Sequence, residues 1–523
     1  MRKNFLIRAL ALGLSFGALI AVPNCYAETF AVSESATVDL SFDVSQGVEK
    51  TLTYEGRTVK FVAYENMFYV AKPVSDMQKL SVYIPVEYLR GGTINGYTAK
   101  IAPIFMPNGV GGYMPGKILE PTESNSMSGQ PNASLVALSR GLVVVAPAIR
   151  GRTTVTNGNF VGKAPALIVD YKAAVRWLRF NRDKLPAGDV EKIISNGTSA
   201  GGALSAALGA TGNAPEFETY LNEIGAARER DDIFASSDYC PITNLEHADA
   251  AYEWIFADET KYFPAMWQLQ DLEARGLRKA KVDAPTKIDA DAANNPVAVK
   301  EAFEMTAEEI AASKTLRNAF PDYVNGLNLR DEHGKLLTLD KNGDGSFKKF
   351  IEQKYIESAQ DALNRGEDLS GVDWIKIRNG KIIAVDLKKY PAAVTRMKAA
   401  PAFDKLDLSS AENDEFGTSA NEPRHFSATN IYSEGEFAND GLIALMNPLN
   451  FIGRADVTTA KHFRIRHGAA DRDTALAIPA ILALKLQNSG VHVDFFSPWA
   501  RGHSGDYDLP QLFDWIDDIC KNA

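Results

Sequence analysis

The stretch that decides the fold is Gly197-Thr198-Ser199-Ala200-Gly201-Gly202, a serine set among small residues. The residues before it, 190–196, form a short apolar run typical of a buried strand, and residues 203–210 are typical of the start of a helix. A G-x-S-x-G turn between a strand and a helix is strained, and glycines flank the serine where any Cβ would clash. The turn therefore predicts that Ser199 is a nucleophile and that the Ala200 N–H faces a developing oxyanion.

An ordinary small-residue turn would look similar, so the prediction depends on a histidine and an acid that follow in the order serine, acid, histidine. His503 lies in the glycine-containing loop after the last apolar strand, residues 491–496. The loop after the preceding strand, residues 461–467, holds Asp471 and Asp473. We predict a triad of Ser199, Asp471 and His503, and Asp473 is the alternative partner for the histidine.

A glycine-rich loop, residues 108–116, follows another apolar stretch at residues 99–107. In enzymes with a strand–serine–helix turn, a loop at this position supplies the second N–H of the oxyanion hole. We expect that donor to be Gly111 or Gly112, with Gly112 favoured, although a flexible glycine turn would have the same composition.

Strands and helices alternate between residues 99 and 210. Residues 141–147 are wholly apolar, as in a parallel sheet covered on both faces, and residues 163–185 have a helical period with one apolar stripe. This alternation predicts a doubly wound α/β sheet with right-handed crossovers. Residues 28–85 alternate apolar and polar side chains in places instead, which favours antiparallel strands.

Residues 241–447 lack this alternation and are rich in Ala, Asp, Glu and Lys. We predict that they form a large, mostly helical lid insertion between a first part of the core, residues 28–240, and a second part, residues 448–523. Within the insertion, residues 340–346 resemble the first half of a Ca²⁺-binding loop, but its twelfth position is Ile351, where a calcium loop has glutamate. We therefore expect a polar turn before a helix.

Residues 1–27 predict a signal peptide. They combine Arg2, Lys3 and Arg8 with an apolar run too short to span a bilayer and a small-x-small site ending at Ala27. We expect cleavage near Ala27 and export to the periplasm or the medium. Cleavage removes three positive charges, so the net charge of −10 becomes −13, which disfavours binding to nucleic acid or to an anionic membrane. Cys240 and Cys520 then remain, and the sequence leaves open whether they are paired.

Several segments together carry a family resemblance: 107–116, 197–202, 239–242, 244–249, 396–398, 464–474 and 503–508. On these segments the chain resembles the bacterial tannases, tannin acyl hydrolases of the α/β-hydrolase fold, over nearly all of the mature chain. The resemblance implies that Ser199, Asp471 and His503 form the triad. It also implies that the galloyl hydroxyls are bound by a cation and two carboxylates, Lys398, Glu412 and Asp473. Without the resemblance, Lys398 and Glu412 would be taken for solvated surface charges.

The sequence therefore predicts a serine esterase that hydrolyses the galloyl esters of hydrolysable tannins and alkyl gallates through an acyl-enzyme. No metal or organic cofactor is required, and the expected partner is a small-molecule galloyl ester. One alternative is a feruloyl-type or broad carboxylesterase whose insertion selects other phenolics. The other is an exported binding protein that keeps the fold without catalysis, and such a protein is expected to lack a triad residue.

Overall fold

The computed structural model of the protein describes residues 37–125, 129–265 and 302–522, so the predicted signal peptide lies outside the described residues. Its strands are β1 (Val48–Tyr54), β2 (Arg57–Phe68), β3 (Lys79–Pro85), β4 (Pro103–Pro107), β5 (Val143–Pro147), β6 (Val155–Thr156), β7 (Asn159–Phe160), β8 (Asp189–Thr198), β9 (Ala235–Tyr239), β10 (Lys261–Tyr262), β11 (Phe303–Glu304), β12 (Ile375–Arg378), β13 (Lys381–Val385), β14 (His462–Arg466) and β15 (His492–Phe496). Its α-helices are α1 (Val86–Leu89), α2 (Ala133–Ser139), α3 (Ala166–Phe180), α4 (Ala200–Ala210), α5 (Glu218–Glu223), α6 (Leu245–Phe256), α7 (Ala307–Gly326), α8 (Ser346–Asn364), α9 (Tyr390–Val394), α10 (Ala411–Glu415), α11 (Asp440–Met446), α12 (Ala477–Asn488) and α13 (Leu509–Lys521).

A nine-stranded sheet organises the molecule in the order β1-β2-β3-β5-β4-β8-β9-β14-β15. The pairs β1–β2, β2–β3 and β3–β5 are antiparallel, whereas every neighbouring pair from β5 to β15 is parallel. The carboxyl ends of the parallel strands therefore meet at one edge, where α/β sheets bind their ligands. The predicted α/β class and the antiparallel first strands are confirmed.

Helix α3 differs from the predicted helix with one apolar stripe, because its residues from Ala166 to Arg179 are all buried. The segment before β1 covers part of this helix: Phe42 packs on Trp177, and the Phe42 backbone N–H donates to the side-chain oxygen of Asn181. A helix covered on all sides has no solvated face, so its charges must be paired internally. The buried ion pairs are Asp170–Arg150, Lys172–Asp231 and Arg176–Asp231.

The residues between β9 and β14 contribute helices α6 to α11 and two short strand pairs, β10–β11 and β12–β13. Tyr252 on α6 is buried, and its hydroxyl donates to the Arg472 carbonyl in the loop after β14, 2.9 Å away. This contact ties the segment to the carboxyl edge of the sheet. The division of the chain at 240/241 and 447/448 stays a prediction.

The loop that resembles a calcium site forms a polar turn before α8. Oδ1 of Asp340 accepts from the backbone N–H groups of Asn342 and Asp344, and the Asp344 carboxylate pairs with Lys348. Ile351, at the twelfth position, is buried in α8 and has no oxygen to offer a cation.

Two further sequence questions are answered by the described residues. Cys240 and Cys520 are free, buried thiols. A span across a membrane would need a longer and more apolar helix than any that these residues form.

Candidate active site

The turn between β8 and α4 holds Ser199 in a strained conformation. Its φ is +62°, which non-glycine residues rarely adopt, and its N–H donates to the Tyr239 carbonyl on β9 at 2.9 Å. A Cβ on Gly197 would lie 2.2 Å from the Gly201 carbonyl oxygen, and one on Gly202 would lie 2.4 Å from that of Tyr239. The small residues of the turn are therefore a steric requirement.

The side chains of Ser199, His503 and Asp471 form a continuous hydrogen-bonded line. His503 Nε2 lies 2.7 Å from Ser199 Oγ, and its Nδ1 lies 2.8 Å from Asp471 Oδ2. Asp471 is fully buried, and its other oxygen accepts from the N–H groups of Asp473 and Thr474. In the tautomer that protonates Nδ1, the Nε2 lone pair of His503 faces the serine hydroxyl.

Charge and burial have opposite effects on the pKa values of Asp471 and His503. Burial would raise the pKa of Asp471, but the neighbouring positive charge of His503 lowers it to about 2. Burial would also lower the pKa of His503, yet the Asp471 carboxylate raises it well above the usual histidine value. The carboxylate thus stabilises the imidazolium form that a general base passes through. Nearby His467 differs, because burial lowers its pKa to about 4 and it stays neutral.

Asp473, the alternative acid, contacts a different partner. Its Oδ1 accepts from Lys398 Nζ at 2.8 Å, and the two side chains are only 8% and 9% exposed. Glu412 on α10 is buried as well. Burial raises the pKa of Glu412, while the Lys398 ammonium acts to lower it. The structure therefore brings Lys398, Glu412 and Asp473 into one charged cluster, and it is Asp471 that contacts His503.

Asn108 holds the glycine-rich loop against the serine turn. Its side-chain amide donates to the carbonyls of Asn196 and Gly201 and to Ser205 Oγ, at 3.0–3.2 Å. Its oxygen accepts from the Val110 N–H. In the sequence, Asn108 is the first residue of this loop, and no role was predicted for it. The available signal was an amide residue directly after an apolar stretch, because a polar side chain buried at such a place must find partners.

Arg152 connects the same loop to the charged cluster, and no sequence pattern pointed to it. Its Nε donates to the Gly112 carbonyl at 3.0 Å, and its Nη1 donates to Asp414 Oδ2 at 2.5 Å. Asp414 lies on α10, two residues after Glu412, and it also pairs with Lys163. One guanidinium thus spans the predicted oxyanion loop and the helix that carries Glu412.

This fold, with a strained serine turn after a central parallel strand and a histidine–aspartate pair from the following strands, defines an α/β-hydrolase. A family model described as BD-FAE matches residues 123–292. A solved tannase from Lactobacillus plantarum is 42% identical, covers 92% of this chain and 100% of its own, and superposes with a TM-score of 0.82. The chain belongs to the bacterial tannase family.

Two further solved structures are similar. The tannase of Fusobacterium nucleatum is 44% identical, with a TM-score of 0.83 and coverage of 92% of this chain and 99% of that one. A tannin acyl hydrolase in complex with ethyl gallate is 42% identical, with a TM-score of 0.81 and the same coverage. None of the curated proteins compared with the chain is significantly similar to it.

Proposed function

We propose that the protein hydrolyses galloyl esters and releases gallate through an acyl-enzyme on Ser199. The observation that carries the proposal is the meeting of two clusters at one loop: Asp471 contacts His503, and Asp473 contacts Lys398. A nucleophile and a set of groups suited to adjacent hydroxyls therefore share one site. A family member solved with ethyl gallate supports this substrate class.

In the proposed reaction, His503 Nε2 takes the proton of Ser199 as Oγ attacks the ester carbonyl. Asp471 holds the ring in the required tautomer and stabilises the imidazolium. The protonated His503 then donates to the leaving alkoxide, and the alcohol departs. A water molecule, deprotonated by the same nitrogen, releases gallate and regenerates the serine.

The tetrahedral oxyanion is bound by the Ala200 N–H at the start of α4 and by the Gly112 N–H of the glycine-rich loop. Asn108 connects the two segments that carry these donors. Its amide donates to the Gly201 carbonyl of the serine turn and accepts from the Val110 N–H of the glycine-rich loop. Arg152 fixes Gly112 from the other side. The geometry of the hole thus depends on contacts outside the hole itself.

The galloyl ring is proposed to direct its hydroxyls at Lys398, Glu412 and Asp473. An ammonium group donates hydrogen bonds and a carboxylate accepts them, so the three groups match a row of phenolic O–H groups that can do both. Burial strengthens these contacts, since all three side chains are less than a tenth exposed. The substrate is then selected by its acyl half.

We further propose that the protein is exported after removal of residues 1–27, on the charge, apolar and cleavage-site pattern of that segment. Its partner is a small-molecule galloyl ester. Detection of a mature protein that begins after Ala27 in the medium or the periplasm tests export. An intact N-terminus on a cytoplasmic protein would contradict it.

Hydrolysis of methyl gallate, methyl ferulate and a nitrophenyl ester tests the function. We expect efficient cleavage of the gallate and poor cleavage of the ferulate. Preference for ferulate would favour the feruloyl-type esterase, and no turnover of any ester would favour the binding protein. Ser199→Ala should lose several orders of magnitude in kcat and still bind gallate. Ser195→Ala is the control, because it removes another buried hydroxyl of β8, one that donates to Ser236 Oγ.

A further inference from the structure

A free thiol lies beside the proposed general base. Cys240 directly follows β9, so it lies at the carboxyl edge of the sheet, where the loop after β15 carries His503. Its Sγ is 3.9 Å from His503 Nε2, the nitrogen that also contacts Ser199, and 3.5 Å from the Ser504 carbonyl oxygen. Within the described ranges, the one group of acidic, histidine and cysteine side chains close enough to share a metal ion is Cys240, Asp471 and His503.

We propose that Cys240 and His503 form an inhibitory site for a thiophilic divalent cation, with Zn²⁺ as the fitting ion. The proposal rests on the proposed role of His503 as the base. Zinc bonds to thiolate sulfur at about 2.3 Å and to imidazole nitrogen at about 2.0–2.1 Å, so tetrahedral coordination places these two atoms about 3.6 Å apart. The observed distance between Cys240 Sγ and His503 Nε2 is 3.9 Å, so a small movement of the side chains would bring both atoms to their zinc-binding positions.

The surroundings of His503 complete the zinc-binding chemistry. Asp471 Oδ2 accepts a hydrogen bond from the Nδ1–H of His503. The Nε2 lone pair is then free for a metal, as in the carboxylate–histidine–zinc arrangement. When the ion binds, the Cys240 thiol releases its proton to water and becomes a thiolate. The thiolate and the Asp471 carboxylate together balance the two positive charges. Ser199 Oγ and water can fill the remaining positions.

Zinc at this site would stop the reaction at its first step. The Nε2 lone pair that removes the serine proton would be shared with the metal, so Ser199 would stay a neutral alcohol. Oxygen-preferring cations such as Mg²⁺ would not bind there, because neither sulfur nor imidazole suits them. Inhibition should therefore be selective for thiophilic metals and reversible by a chelator.

The test is the zinc concentration that halves methyl gallate hydrolysis, measured for the wild type, Cys240→Ser and Cys520→Ser. Each protein is compared with its own rate without metal. Cys520 is the matched control, as the other free, buried thiol. We expect micromolar zinc to inhibit the wild type and Cys520→Ser, EDTA to reverse this inhibition, and Cys240→Ser to need at least ten times more zinc. Equal sensitivity of Cys240→Ser and the wild type would overturn the proposal.

Two measurements without turnover separate this proposal from the proposed function. Calorimetry should detect zinc binding to Ser199→Ala and its loss in Ser199→Ala/Cys240→Ser. If Ser199→Ala is inactive but binds no zinc, the metal site is wrong and the esterase proposal stands. Titration of the wild type with Co²⁺ needs no cysteine variant and should give the charge-transfer absorption of a cobalt–thiolate bond. Absence of that band would also overturn the proposal.

Discussion

Replacing Lys398 by methionine should remove recognition of the galloyl ring and leave the ester chemistry intact. Methionine keeps most of the length of the side chain and removes the ammonium group, with its charge and its hydrogen-bond donors. In the free enzyme, water can still reach the unpaired Asp473, because the Lys398–Asp473 pair is 9% and 8% exposed. A bound substrate displaces that water, so the cost of the missing ammonium arises in the complex and in the transition state.

The magnitude follows from the burial of this pair. Removing one partner of a buried ion pair costs about 3–5 kcal/mol. Such a rise in the barrier corresponds to a loss of about 10²- to 10⁴-fold in kcat/KM for methyl gallate. Methyl benzoate has no hydroxyl to present to Lys398, so the substitution should change its kcat/KM by less than about threefold. The wild type should already be a poor catalyst for this ester, because a site built to bind an O–H rejects ligands without one.

The assay is kcat/KM for both esters with the wild type, Lys398→Met and Lys172→Met. Lys172 is the matched control, because it also forms a buried ion pair. Its Nζ lies 2.7 Å from Asp231 Oδ1, and neither residue belongs to the proposed site. Lys172→Met should lower the melting temperature and leave the ratio of the two esters unchanged. An equal fractional loss on both esters in Lys398→Met would show that Lys398 supports the fold or the triad, and would refute its role in reading the ring.

Three further results are expected. Because Asp471 raises the pKa of His503, the protonated, inactive base persists to higher pH, and activity falls as pH drops through that raised value. Asp471→Asn should move this acidic side of the pH–activity profile to lower pH and reduce kcat by about 10⁴-fold. Asp473→Asn should mainly raise KM for gallates. An unchanged pH profile in Asp471→Asn would count against the assignment of Asp471. Arg152→Leu should reduce kcat/KM for methyl gallate by about 10- to 10²-fold through loss of a charge-assisted hydrogen bond, with partial recovery in Arg152→Lys, and an unchanged value would show that the Gly112 loop is held without it. EDTA should leave activity without added metal unchanged, because Ile351 stands where a calcium loop has its bidentate glutamate; loss of activity that Ca²⁺ restores would contradict the polar turn.

The elements around the serine turn could be predicted because local chemistry dictates them. The turn demands glycines for steric reasons, and the parallel strands are apolar because both faces are covered. Chain order then placed Asp471 and His503 in loops at the same edge of the sheet, where the structure has them. Helix α3 was predicted less well, because the sequence does not reveal that the segment before β1 covers one of its faces.

The charged cluster lies beyond what patterns in this sequence can show. Lys398 and Glu412 belong to a segment without regular periodicity, and only the family resemblance singled them out. Asn108 and Arg152 were missed because most of their hydrogen-bond partners, backbone and side-chain groups alike, lie at least 40 residues away in the sequence. Contacts of this kind depend on the tertiary arrangement and not on the spacing of side-chain types.

The position of β14 and β15 at the end of the sheet has a consequence for how the molecule folds. Ser199 and His503 are 304 residues apart, and β14 pairs with β9 across the whole intervening segment. Contacts between such distant residues form slowly, because a long loop must close first. We expect recovery of esterase activity after dilution from denaturant to lag behind recovery of helical circular dichroism. Esterase activity would then indicate that β14 and β15 have joined the sheet. A nascent chain that lacks these strands would be inactive.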